Sequence, residues 1–146
     1  MNDKNKFYAK NYLYRNLNYY DKKAASNKKL YNLFVVLDIV ISAFIPFTAL
    51  FNDVFFQTKY IVALMGSFIT ILSAFKTSFG LQKKWIEYRT TAEILEYHKR
   101  LYLTESAPYN KSNRHELLIS NVKSIVEKEN KAWRSVELSI KKPSRN

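Results

Sequence analysis

The stretch Leu30–Phe51, LYNLFVVLDIVISAFIPFTALF, carries one charge, Asp38, in 22 residues. As a helix rising 1.5 Å per residue it reaches about 33 Å, enough to cross a hydrocarbon core about 30 Å thick. Working outward, Tyr60–Phe75 is a second apolar run with no charge over 16 residues. It extends to Leu81 if Lys76 snorkels or finds a partner. The intervening 52–59 is short, so the two helices must lie antiparallel. Soluble core helices are amphipathic, with charges recurring every turn, and a cleaved signal segment would be shorter and nearer the N-terminus. The fold class expected is therefore an all-α membrane protein, a two-span transmembrane helical hairpin with cytoplasmic helical extensions.

Charge orients the hairpin. The 146 residues carry 24 Lys+Arg against 12 Asp+Glu, a net +12. The head, 1–29, has eight Lys+Arg and two Asp, the tail after Gln82 has fourteen Lys+Arg and eight Glu, and the connection holds only Asp53 and Lys59. By the positive-inside rule both termini are expected on the cytoplasmic side. Tyr31, Tyr60 and Trp85 suit the interfacial level, where amphipathic rings collect. Lys22, Lys23, Lys28 and Lys29 before the first span, and Lys83 and Lys84 after the second, suit anionic headgroups of the lipid bilayer.

The organisation expected is a basic helix over 1–29, a first span 30–51, an outer loop 52–59 and a second span 60–81. A continuation helix 82–104 and a last helix 113–140 follow. Phe7, Tyr12, Leu13, Leu17 and Tyr20 mark the head as helical, feeding the first span. Trp85, Tyr88, Ala92, Leu95, Lys99 and Tyr102 recur at three- and four-residue steps, as do Leu118, Val122, Ile125, Glu129, Trp133, Val136 and Ile140. Pro108 and its polar neighbours break the tail, and Asn113 with Glu116 three residues on can cap the last helix.

Few residues could do covalent chemistry. No Cys means no disulfide scaffold, zinc finger or thiol nucleophile. Two Gly leave no room for a phosphate-cradling loop of the P-loop or dinucleotide type. His98 and His115 lie among Lys and Arg and read as solvated helix-face histidines. The Glu pairs interleave with cations as salt-bridged helix surface. The expectation is a protein that is not an enzyme and uses no cofactor and no metal.

Asp38 is the most informative residue. A carboxylate inside a span costs about 2.5–3.5 kcal/mol at the helix centre, so it should face protein or water. Folding the hairpin about residues 55–56 brings Asp38 and Lys76 to depths three residues apart, about 4.5 Å. A pair between them, within one chain or between copies, is geometrically allowed. Gly66, Thr70, Ser73 and Thr77 form one small or polar stripe, and Asp38 and Ser42 share a face of the first span. Such stripes pack helices closely or line water. Because one hairpin is not expected to hide Asp38 from lipid, a homo-oligomer is expected, with a tetramer favoured.

Trp85, Tyr88, Arg89, Ala92, Glu93 and Leu95 spell W-x-x-Y-R-x-x-A-E-x-L directly after the second span. Tyr102 and Tyr109 follow, and Glu129 and Trp133 sit on the last helix. With the hairpin and the basic head, this pattern resembles the SLATT family, small two-span proteins of bacterial conflict systems. The resemblance implies a membrane effector that oligomerises and opens a pore in an infected cell. It also implies linkage to a nucleotide or oligonucleotide messenger and the nucleotidyltransferase that makes it. From the residues alone, Arg89 and Glu93 can pair, Trp85 can anchor at the interface, and Tyr88, Ala92 and Leu95 can face another helix.

Two functions of different class follow. One is an antiphage pore or channel that dissipates membrane potential, with Arg89, Lys99, Arg100, Arg114 and Lys123 framing an anion or nucleotide site in an assembled ring. The other is a non-conducting membrane-anchored adaptor or sensor that recruits a cytoplasmic partner. Aromatics near the outer end, Phe44, Phe47, Phe51, Phe55 and Phe56, suit the second or a closed state.

Overall fold

Nothing in the first 45 residues stops a helix: neither Gly nor Pro occurs before Pro46. The computed structural model accordingly has one helix, α1, over Asn2–Ala49. It describes the backbone of residues 2–49 and 58–141, and the side chains of 4–48 and 58–131. Head and first span are thus one element, about 72 Å long at 1.5 Å per residue, more than twice the depth of a hydrocarbon core. Helix α2 covers Thr58–Ser78, α3 Leu81–Leu103 and α4 Arg114–Lys141. Most of the expected outer loop, with Phe51, Phe55 and Phe56, lies outside the described residues.

Two helix ends have readable causes. Between α2 and α3, Gly80 takes a left-handed φ of 55°. Its N–H bonds the Thr77 carbonyl at 3.0 Å, and its own carbonyl accepts from Lys84 at 2.9 Å, ending one helix and starting the next. Helix α2 therefore ends at Ser78. Helix α3 closes in a Schellman arrangement. Ser106 N–H bonds the Leu101 carbonyl at 3.0 Å and Glu105 N–H the Tyr102 carbonyl at 3.4 Å, with Glu105 at φ 53° in the left-handed position. Asn113 holds the N-cap of α4, its carbonyl accepting from Leu117 at 3.1 Å.

The chain divides into two units. The helical unit, Met1–Lys23 with Glu87–Asn146, has the core of a soluble bundle. Ala9, Leu13, Leu17 and Tyr20 of α1 meet Ala92, Leu95 and Tyr102 of α3, Leu118 and Val122 of α4, and Tyr109 of the α3–α4 connection. The 3.6-residue spacing puts each set on one helix face. Of the apolar head residues, Leu13, Leu17 and Tyr20 are buried and Tyr12 packs on the core, whereas Phe7 is 68% exposed and Ala9 is fully buried. A small side chain at position 9 lets helices approach where Phe would hold them apart.

The hairpin unit, Ala24–Ile86, is its chemical opposite. Leu33, Val36, Ile39, Phe44, Ile61, Leu64, Phe68 and Ile71 are all exposed. Of the apolar window in the first candidate span none is buried, and in the second 6%. Both helices are long and apolar enough to cross a membrane. A soluble protein would bury such residues, because each large aliphatic left in water forgoes about 1.5–3 kcal/mol.

This contrast sets an expectation for truncations. Leu95→Ala, inside the helical core, should cost about 2–5 kcal/mol. Leu64→Ala, at 72% exposure, should stay within about 0.5 kcal/mol. Thermal melting of the detergent-solubilised chain distinguishes them.

Candidate functional site

In the hairpin unit, antiparallel pairing brings low-numbered residues of the first span beside high-numbered residues of the second. Phe34 packs on Phe75, ring centroids 6.1 Å apart, and one turn along α1 Asp38 meets Lys76. The Lys76 ammonium forms an ion pair with Asp38 Oδ2, and both side chains are less than one-fifth exposed. Ser73 Oγ donates to the same oxygen at 3.4 Å. Phe75 and Phe79 stack at 4.4 Å beside the lysine's turn. Asp38 Oδ1 is buried and has no hydrogen-bond partner among the described residues.

The expectation that a single hairpin leaves Asp38 to lipid is corrected by this pair. Lys76 neutralises the carboxylate inside the same chain, so concealment of charge does not itself demand a second copy. Removing one member leaves a buried, unpaired charge, which is costly.

The small and polar stripe divides into two kinds of residue. Thr70 Oγ1 donates to its own helix at the Gly66 carbonyl (2.9 Å), and Thr77 Oγ1 to the Ser73 carbonyl (3.0 Å). Both hydroxyl protons are satisfied locally. Ser73 alone of the stripe reaches across to α1. Gly66 has no atom of the described residues within 4 Å of where a Cβ would stand, so its smallness serves no close approach among them. Ser42 is exposed, and Pro46, four residues on within α1, lacks the N–H that would bond the Ser42 carbonyl.

The post-span motif has structural duties in each unit. In the hairpin unit Trp85 is half-buried with its Nε1 unpartnered among the described residues, and the Lys28 ammonium lies 5.5 Å from its ring centroid. In the helical unit Ala92 and Leu95 enter the core. Tyr88 packs 6.1 Å from Tyr20, whose hydroxyl donates to Glu129 Oε2 at 3.2 Å. Burial, and then the Glu129 charge, push both tyrosine hydroxyls up from their ordinary pKa. Arg89 bonds Glu93 at 2.9 Å and reaches Asp21 on α1 at 3.4 Å. Trp133 lies on α4 beyond the described side chains.

The cations read as an anion site are mostly engaged by acids in the single chain. Besides Arg89, Lys99 holds Glu96 at 3.1 Å, Arg114 pairs with Glu105, and Lys123 stands 3.8 Å from Glu127. Arg100 is exposed on α3. Among the described residues, no group of three or more His, Cys, Asp or Glu is placed to hold a metal ion.

The histidines depart from the solvated positions expected for them. His115 is 6% exposed and its Nδ1 lies 2.7 Å from the Tyr102 hydroxyl. His98 Nδ1 lies 2.6 Å from the Tyr109 hydroxyl, which also accepts from Asn121 at 2.9 Å. Four rings, His98, Tyr109, Tyr102 and His115, meet edge to face at 5.8–5.9 Å. The visible signal was an aromatic, Tyr109, in an otherwise polar connection, together with the four-residue step from His98 to Tyr102.

Burial holds both histidines below their ordinary range, and for His115 the nearby Arg114 and Lys6 charges add to it. The folded chain therefore binds fewer protons than the unfolded one, and stability rises with pH through this range. It should be fully present above about 6.5 and be lost as pH falls through the lower folded values. The melting temperature followed from pH 7.5 to 5 checks this, and the non-titrating double variant His98→Gln with His115→Gln should flatten the curve. For the ion pair, Asp38→Asn should cost of the order of 3 kcal/mol, the lower end for a broken buried pair. Charge reversal at both positions should recover about 0.5–3 kcal/mol of coupling in a double-mutant cycle read by melting.

A family model described as protein of unknown function (DUF4231) matches residues 15–117. The matched segment takes in the hairpin, the post-span motif and the His–Tyr array. No curated protein and no solved structure matches the chain.

Proposed function

Since the chain belongs to the DUF4231 family, we propose that it is a membrane effector of the SLATT type, with which that family is associated. In this reading, copies assemble in the bacterial inner membrane with both termini cytoplasmic, and a nucleotide-type signal or its synthesising partner triggers a pore that collapses membrane potential during phage infection.

One observation carries the reading: an apolar, lipid-ready hairpin that keeps a charged pair and an unsatisfied carboxylate oxygen inside its spans. Polar groups at that depth are costly and are retained where ions, water or a second protein surface meets them. Asp38 Oδ1 is an acceptor with no donor among the described residues, and in an assembly it faces either a neighbour's donor or a hydrated path. Ser42, Gly66, Thr70, Ser73 and Thr77 are the small or polar residues along which that path would run. A ring of copies, with four favoured, supplies the enclosure that two helices lack.

The adaptor reading rests on a different observation. Lys76 already neutralises Asp38 and the Thr70 and Thr77 hydroxyls are turned to their own backbone, which suits a sealed anchor that displays its helical unit to a partner.

A potential-sensitive dye in bacteria expressing the chain separates the two. Depolarisation that changes in extent with Asp38→Asn, at equal membrane-bound expression, is the outcome expected of the effector. Undisturbed potential, and no ion flux from vesicles holding the purified chain, would assign the anchor role.

A further inference from the structure

The α3–α4 connection is fastened to the helical unit at one point. Residues 104–108 and 110–113 are exposed, and Tyr109 between them is fully buried. Its hydroxyl lies 2.6 Å from His98 Nδ1 of α3 and accepts from the Asn121 amide of α4 at 2.9 Å. Its ring meets that of Tyr102 edge to face at 5.9 Å. The Tyr102 hydroxyl in turn lies 2.7 Å from Nδ1 of His115, in the first turn of α4. Both the connection and the helix turn that follows it are thus tied to α3 through a histidine–tyrosine contact.

Neither ring has an acid to receive a proton: among the described residues, no ion pair involves His98 or His115. His115 is met by Tyr102 from α3, by the charge of Lys6 from α1 and by that of its own neighbour Arg114, whose guanidinium stands 5.8 Å from the Tyr102 centroid. Glu105, the acid of the connection, is committed to Arg114. His98 is met by Tyr109 from the connection and by Tyr97 on its own helix, where Glu96 is engaged by Lys99. A buried imidazolium needs water or a counter-charge. Unfolding the unit would admit water but give up Leu13, Leu95, Leu118 and Val122, all buried. Withdrawing the connection admits it and gives up chiefly Tyr109, so local opening is the less costly route.

We infer that residues 104–115 form an acid-released latch: a proton on His98 or His115 frees Tyr109 and the first turn of α4 from the core, while α1, α3 and the rest of α4 stay packed. Both rings are held below their ordinary range in the closed form. The closed form therefore binds fewer protons than the open one, and opening is favoured as pH falls below about 6.5. Release uncovers Tyr102, against which Tyr109 packs. Melting reports the stability of the whole fold, whereas the latch fixes which segment leaves first. It needs neither a pore nor a ligand, so it stands or falls apart from the effector reading.

Hydrogen exchange on the full chain in detergent, corrected at each pH for the intrinsic rate, reads the latch directly. The amides of Ser106, Tyr109 and Arg114 donate to the carbonyls of Leu101, Ser106 and Lys111. Between about pH 7.5 and 5 they should lose protection about tenfold or more, because each proton taken up on opening is worth a decade per pH unit. At the acid end they should exchange about tenfold or more faster than the amides of Leu13, Leu95 and Val122. His98→Gln with His115→Gln should remove the pH dependence. If that variant does not fold, the parent chain still decides, since its two histidines give two ring signals by NMR, whose titration should coincide with the loss of protection. Three outcomes would overturn the latch: rings that titrate while the connection stays protected, connection and core exchanging together in acid, or a pH dependence that survives in the folded double variant.

Discussion

A carboxylate in a hydrocarbon layer must be neutralised, and the Asp38–Lys76 pair is how this hairpin meets that demand. The consequences spread through the hairpin unit. Lys76 can stay within an apolar stretch only because Asp38 receives it, which lets α2 run to Ser78. Ser73 is the one stripe residue drawn across to α1, and Phe34, Phe75 and Phe79 gather about the same turns. Sliding one helix along the other by a turn would separate the charges, so the pair fixes register as well as neutrality. Apolar contacts between lipid-facing helices do this poorly, since lipid tails offer much the same environment as leucine.

The helical unit obeys the opposite solvent rule and is held by different means. Its core is aliphatic at the centre, with Leu13, Leu95, Leu118 and Val122, and is bordered by Tyr20, Tyr102 and Tyr109, whose hydroxyls find partners in glutamate, histidine and asparagine. Such rings supply apolar area and a directional bond together. The family-like motif W-x-x-Y-R-x-x-A-E-x-L contributes side chains to each unit. Its tryptophan serves the hairpin unit, its Ala and Leu the helical core, and its Arg and Glu a surface link to α1.

What could be read from the sequence depended on how local the cause was. The spans were legible because hydropathy is a property of consecutive residues. The Asp38–Lys76 match was legible because antiparallel helices make depth a linear function of residue number. Ala92, Leu95, Leu118 and Val122 followed from the 3.6-residue period. The exposure of Phe7 and the burial of Ala9 were not legible, because the face a helix buries is chosen by what packs against it. Nor were the half-burial of His98 and the burial of His115, which required the connection bearing Tyr109 to fold back between α3 and α4. Apart from Asp21, which reaches Arg89 from α1, the acids that engage Arg89, Lys99, Arg114 and Lys123 lie within nine residues of their cation, yet they could be weighed only as possibilities.

Pro46 gives the first span a property that no side chain there supplies. By leaving the Ser42 carbonyl without its helical donor, it places a backbone oxygen one turn beyond Asp38, with a partial negative charge that never titrates. Substitution at Ser42 would replace the hydroxyl while sparing the carbonyl. The span thus carries polarity of two kinds: one set by side-chain pairing, the other written into the main chain. Sequence drift among the surrounding side chains could erase the first while the second persisted for as long as an imino acid stayed at position 46.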